Sequence, residues 1–132
     1  MHLSTKIGAD KRAIVADSSY LVEGLLKDAS LLEHDIIVAP ELALYEVANS
    51  IWKHEAVLGD INDGRQYLDL LFQLVSTETV RFISPDERIA GEAYKLALTK
   101  KCTVYDAIFV ALAIDLGLEL KTFDEAQHSL LP

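Results

Sequence analysis

Cysteine occurs once in the 132 residues, at Cys102. A disulfide framework within the chain and a cysteine-built zinc module need at least two, so both are excluded. A lone cysteine of this kind reads as a small, buried apolar residue. The four histidines, His2, His34, His54 and His128, show neither i,i+4 spacing nor an HExxH pattern, so no histidine zinc site is legible. Basic residues are also few. Twelve Lys and Arg against 21 Asp and Glu leave a net charge of −9, which argues against diffuse attraction to phosphate backbones. Any nucleic-acid partner must be met locally, for instance through metal ions. Long apolar runs are missing as well. The longest, Ala107 to Ile114, is closed by Asp106 and Asp115 and falls far short of the roughly 18–20 residues that cross a bilayer. No membrane contact is expected. Residues 1–16 carry Lys6, Asp10, Lys11 and Arg12 and no long apolar stretch, so no secretory signal is read there and a cytoplasmic location is expected.

What is present suits one ordinary domain. Hydrophobic residues make up 51% and charged residues 25%, close to the values of about 45–50% and 25% usual for soluble proteins. No Pro/Gly/Ser-rich linker, repeat or low-complexity tract divides the chain. Residues 1–12 are polar and unpatterned and read as an N-terminal extension or leader; residues 13–132 read as the domain.

Short apolar runs alternate with helical patterns. Ala13–Ala16 fits a buried strand, with Asp17-Ser18-Ser19 opening a helix to about Lys27. Ile36–Ala39 reads as a second strand, with Pro40 in the first turn of a helix that runs to about Ala56. Helical spacing follows over Ile61–Val75, then a strand at Val80–Ile83, and Ser84-Pro85-Asp86-Glu87 starts another helix. Thr103 caps a helix over Val104–Leu116, Gly117 stops it, and Leu118–Leu120 is a fourth strand that ends near Thr122-Phe123-Asp124. This alternation predicts an α/β domain whose short, mostly parallel sheet is flanked by helices. Ligands bind such sheets at the carboxyl ends of the strands, where Asp17 and Asp124 fall.

Two further acids interrupt apolar helices. Asp106 is the single charge at the start of a segment that is apolar all round, and Glu46 is the only charge between Glu41 and Lys53, with Asn49 one turn on. An ionised acid inside a core needs a cation, a metal or exposure. Each also has a simpler reading: Asp106 in a first turn favoured by the helix dipole, Glu46 on a solvated stripe, Asp17 and Asp124 as helix caps. Taken together, four carboxylates can converge on one crevice. Two unit charges about 5 Å apart repel by roughly 3 kcal/mol at an effective dielectric of 20, so such a cluster calls for protonation or a divalent cation. Oxygen-only ligation suits Mg2+ or Mn2+ and the chemistry of phosphodiester hydrolysis.

The same residues carry a family resemblance. Val15-Ala16-Asp17-Ser18-Ser19, Pro40 through Asn49, Tyr105 through Ala113 and Leu120-Lys121-Thr122-Phe123-Asp124 resemble, in order and spacing, the four motifs of the PIN-domain ribonucleases. Within that family they are similar to the VapC toxins of toxin–antitoxin pairs. The resemblance implies a three-layer, Rossmann-like PIN fold and a metal-dependent endoribonuclease leaving 5′-phosphate and 3′-hydroxyl ends. It places Asp17, Glu46, Asp106 and Asp124 as catalytic metal ligands for Mg2+ or Mn2+, with Ser19, Asn49 and Thr122 orienting ligands or water. It further implies a homodimer, an RNA substrate and a cognate VapB-like antitoxin whose tail covers the crevice. Two features depart from the family: residues 1–12 are longer than its usual leader, and no basic stripe for RNA stands out. Lys53, Lys95, Lys100, Lys101 and Lys121 are the lysines that can guide RNA if they line the crevice. Two alternatives are a catalytically silent PIN-fold binding module and a receiver-type phosphoacceptor domain. The second needs another acid beside Asp17, where Ser18 stands.

Overall fold

A computed structural model describes residues 11–132, and in it the apolar runs become the strands of a parallel sheet. These are β1 (Ala13–Ala16), β2 (Ile36–Pro40), β3 (Val80–Ile83) and β4 (Leu120–Lys121), in the order β3-β2-β1-β4. All pairings are parallel; Ile37 sits opposite Ile14 on one side and Val80 on the other. Every residue of β2 is buried, as a central parallel strand must be when helices cover both faces. On one face lie α1 (Ser18–Leu26), α2 (Leu42–Lys53) and α3 (Gly64–Ser76); on the other lie α4 (Glu87–Lys100) and α5 (Val104–Leu116), with the short α6 (Glu125–His128) beside α5.

The core of the second layer is α5. Its middle, Ala107–Ala113, is fully buried, while Val104, Tyr105, Ile114 and Leu116 at its ends are exposed. The Thr103 hydroxyl accepts from the Asp106 N–H at 3.2 Å and so caps the first turn. Gly117, at φ +66°, ends the helix in the left-handed region that glycine tolerates without strain. The Leu118 N–H then donates to the Ala113 carbonyl. Leu118 therefore belongs to the helix terminator, and β4 covers Leu120–Lys121 rather than Leu118–Leu120.

Other boundaries move for equally local reasons. Pro40 ends β2, opposite Ile83, instead of opening the helix. A proline there removes only one ladder donor, and the Glu41 N–H donates to the Ile83 carbonyl. The helix expected to reach Ala56 keeps α-helical bonding to Lys53 and continues as a π-turn over His54–Leu58. Next, α3 starts at Gly64 rather than Ile61, where the Glu55 carboxylate accepts from the Gly64 N–H at 2.7 Å. An unexpected 3-10 turn over Ala29–Leu32 is capped by Asp28. Cys102 is half-buried rather than buried. Trp52 is 58% exposed because α2 buries Ala43, Val47 and Ile51. Of the leader over residues 1–12, residues 1–10 lie outside the described residues. Arg12 pairs with Asp35 at 3.0 Å, and its carbonyl accepts from the Ile36 N–H, so it is already tied to the sheet.

Candidate active site

Because the strands run parallel, the residues that follow them gather at one edge of the sheet. Asp17 follows β1 and is only 3% exposed. A carboxylate can stay there because donors surround it. Oδ1 accepts from the Ser19 hydroxyl at 2.7 Å and from the Tyr20 N–H at 3.1 Å, capping α1. Oδ2 accepts from the Thr122 hydroxyl at the end of β4. Ser19 and Thr122 are therefore the two hydroxyls that fix Asp17, and each also fixes the β4 side. The Ser19 oxygen accepts from the Phe123 N–H at 3.0 Å, and the Thr122 oxygen accepts from the Asp124 N–H at 2.9 Å.

Asp124 is exposed and caps α6, accepting from the Ala126 and Gln127 N–H groups. Asp106 is exposed in the first turn of α5, where the helix dipole favours an acid. Its carbonyl accepts from the side-chain amide of Gln127, which is 3% exposed, at 2.7 Å. The caps expected as the simpler readings are thus real for Asp17 and Asp124, and Asp106 occupies the exposed first turn. Capping uses only part of each carboxylate.

Glu46 is the anomalous member. It is half-buried on α2, and its Oε1 is shielded from solvent without a hydrogen-bond partner. Burial pushes its carboxyl above the usual range; the Ser18 hydroxyl partly offsets this, and the charges of Asp106 and Asp17 push it up further. Those charges place Glu46, Asp17 and Asp106 in one electrostatic neighbourhood. Asn49 is exposed one turn beyond Glu46. Among the described residues no three His, Cys, Asp or Glu side chains stand close enough to enclose a metal ion. The donor chemistry nonetheless fits a hard divalent cation: the carboxylates are all-oxygen donors, and one buried oxygen has its coordination unspent.

Of the five lysines named as RNA guides, Lys95 lines a cleft of about 600 Å³ between α4 and α5 on the opposite face. Lys121 is paired with Glu119. Among the described residues, Lys27 lines a groove with Ser18, Ser19, His54 and Phe123 beside the site. His54 was missed because its partner, Asp60, lies six residues on across a glycine turn, a spacing that no helix pattern records. Its Nδ1 sits 2.9 and 3.0 Å from the two Asp60 oxygens.

Residues 14–130 match the PIN domain family. Ribonuclease VapC3 of Pyrobaculum aerophilum is 36% identical over 94 residues, which cover 70% of this chain and 69% of that protein. The crystal structure of PAE2754 from the same organism superposes with a TM-score of 0.72 at 22% identity, over 93% of this chain and 86% of that one. This likeness is one of fold.

Proposed function

The chain belongs to the PIN domain family, and on that premise we propose that it is a metal-dependent endoribonuclease, the toxin of a type II toxin–antitoxin pair. The observation that carries the reading is the Glu46 oxygen, buried without a partner and beside two further acids at the ligand-binding edge of the sheet. Such a group raises the free energy of the protein on its own and becomes favourable next to a cation. The similarity to Ribonuclease VapC3 supports RNA as the substrate.

In this reading Asp17, Glu46, Asp106 and Asp124 hold one or two Mg2+ or Mn2+ ions. Such an ion makes water a stronger nucleophile and offsets the charge of the phosphodiester. The chain's own part is positional. Ser19 and Thr122 hold Asp17 by hydrogen bonds and tie the end of β1 to the end of β4, so the carboxylates that follow the two strands keep a fixed relation. Asn49, exposed one turn after Glu46, is assigned the role of orienting ligand or water. The partners are an RNA, a cognate VapB-like antitoxin that offers a basic side chain to the acidic crevice, and a second copy of the chain. The setting is the cytoplasm.

The test is cleavage of total RNA by antitoxin-free protein with Mn2+, Mg2+ or EDTA, beside Asp106→Asn prepared identically. Metal-dependent cutting that the variant loses is the expected result. Equal cutting by both proteins would make the site wrong. Binding without cutting by both would favour the silent PIN-fold module.

A further inference from the structure

We propose that the groove between α1 and α2 is a subsite for one unpaired nucleotide of the RNA next to the scissile phosphate, with Phe123 as its stacking platform and His54 as its polar contact. The inference rests on the ribonuclease reading and names how that site holds its substrate.

Three observations meet here. The first is an exposed aromatic held rigid. Phe123 is 58% exposed, yet its ring stacks on Tyr20 with centroids 5.6 Å apart and planes 9° from parallel. Tyr20 is buried and donates its hydroxyl to the Leu31 carbonyl at 3.1 Å. Tyr20 thus packs against the Phe123 ring in a parallel, offset stack, while more than half of Phe123 stays open to solvent. The Phe123 N–H donates to Ser19, whose hydroxyl donates to Asp17, so two hydrogen bonds fix the platform against the acidic site. A ring already packed against a buried tyrosine has less side-chain freedom left to lose when a ligand stacks on it.

The second is the groove itself, about 360 Å³, bounded by Ser18, Val22, Ser50 and His54 with Phe123 at its rim. Its volume falls at the lower end of the range for small-ligand sites. The third is the His54–Asp60 dyad. His54 stands in the π-turn, a local geometry frequent at functional sites. Asp60 engages its Nδ1, which leaves Nε2 as the ring nitrogen for a ligand, and only 19% of the side chain is exposed.

Charge makes the same case from the other direction. The chain carries −9, and Lys27, the cation lining the groove, is 3.9 Å from Glu23, which also lines it. Phosphate attraction is therefore weak, and stacking is the way to hold a single strand that needs no net positive charge.

The test uses the metal-loaded full chain with a randomised single-stranded RNA twelve-mer, reading cleavage kinetics and, in Ca2+ without cleavage, binding by fluorescence anisotropy. Phe123→Ala should raise KM and Kd about tenfold with kcat within about threefold. Phe123→Trp should restore both, and Phe123→Leu, which keeps bulk but not the π-face, should not. His54→Ala should raise KM about threefold or more. The logarithmic dependence of Kd on salt should have a slope below about 2. If the wild type cuts and Phe123→Ala or Phe123→Leu matches it in KM and Kd, the subsite is overturned and the ribonuclease stands. If the wild type binds without cutting and Phe123→Ala weakens binding, the subsite stands and the ribonuclease reading falls. If the wild type neither cuts nor binds, both fall.

Discussion

Asp17 and Asp106 carry the same functional group in opposite settings, and substitution should separate their roles. Asp17 is buried under three donors; Asp17→Ala strips an N-cap and leaves two hydroxyls and an N–H to find other partners, a loss of about 2–3 kcal/mol. Asp106 is exposed, so Asp106→Asn should change stability by less than about 0.5 kcal/mol while RNA cleavage falls by roughly a hundredfold or more. Urea unfolding beside cleavage rates checks both. Glu46 makes a pH prediction. Its folded carboxyl lies above the unfolded value because of burial and the charges of Asp106 and Asp17. The folded state therefore binds the proton more tightly than the unfolded state, and stability falls as pH rises from the unfolded value near about 4.3 through the higher folded one. Glu46→Gln removes that slope. In EDTA the variant should gain in melting temperature over the wild type as pH is raised from 4 to 8, with little difference at the acid end. A constant difference across the range would place the strain elsewhere.

Among the elements, those with one dominant signal were the most legible. The apolar runs of β1 and β3 and the capped, glycine-stopped α5 stand where periodicity and capping put them, and β2 differs from its run only by gaining Pro40. The misplaced boundaries turn on individual hydrogen bonds, one from a side chain and the others within the backbone, that residue type and periodicity do not announce. Glu55 sets the start of α3 from the preceding turn, and the terminator of α5 takes Leu118 from β4. The site divides in the same way. The residue types at strand ends were readable, but the hydroxyl bridge from Asp17 to Thr122 depends on β1 pairing with β4, which spans 105 positions of sequence. The π-turn shows how much one residue can decide. Gly59, at φ +67°, reverses the chain so that the Asp60 N–H donates to the His54 carbonyl and the Asp60 carboxylate reaches the ring. Gly59→Ala must adopt that left-handed geometry with a Cβ, at a cost of about 1 kcal/mol. Nothing lies within 4 Å of the added atom, so the loss is conformational, and a two-dimensional NMR spectrum should confine its shifts to His54 through Gly64.

At the scale of the whole molecule, excess negative charge and the partnerless Glu46 oxygen pull in one direction. The fold is legible from the alternation of elements and the four ordered motifs, because both follow from chain order; the electrostatic cost emerges only when helices from two layers bring Glu46 within range of the charges of Asp106 and Asp17. Metal-free protein carries that cost, so a cation that binds the folded state alone must stabilise it. At about ten times its dissociation constant the gain is about 1.4 kcal/mol, which for a domain of this size raises the melting temperature by roughly 5 °C. Diffuse binding to an acidic surface would do something similar, and two controls separate the effects. NaCl at matched ionic strength screens the general charge but does not replace a ligand, so it should give well under half the shift of millimolar Mg2+ or Mn2+. Asp106→Asn and Glu46→Gln, each changing the net charge by only one, should each remove at least half of the metal-specific shift. If both variants respond to the metal as the wild type does, the acids at this edge form no preorganised cation site, and the proposed metal-dependent cleavage loses its structural basis.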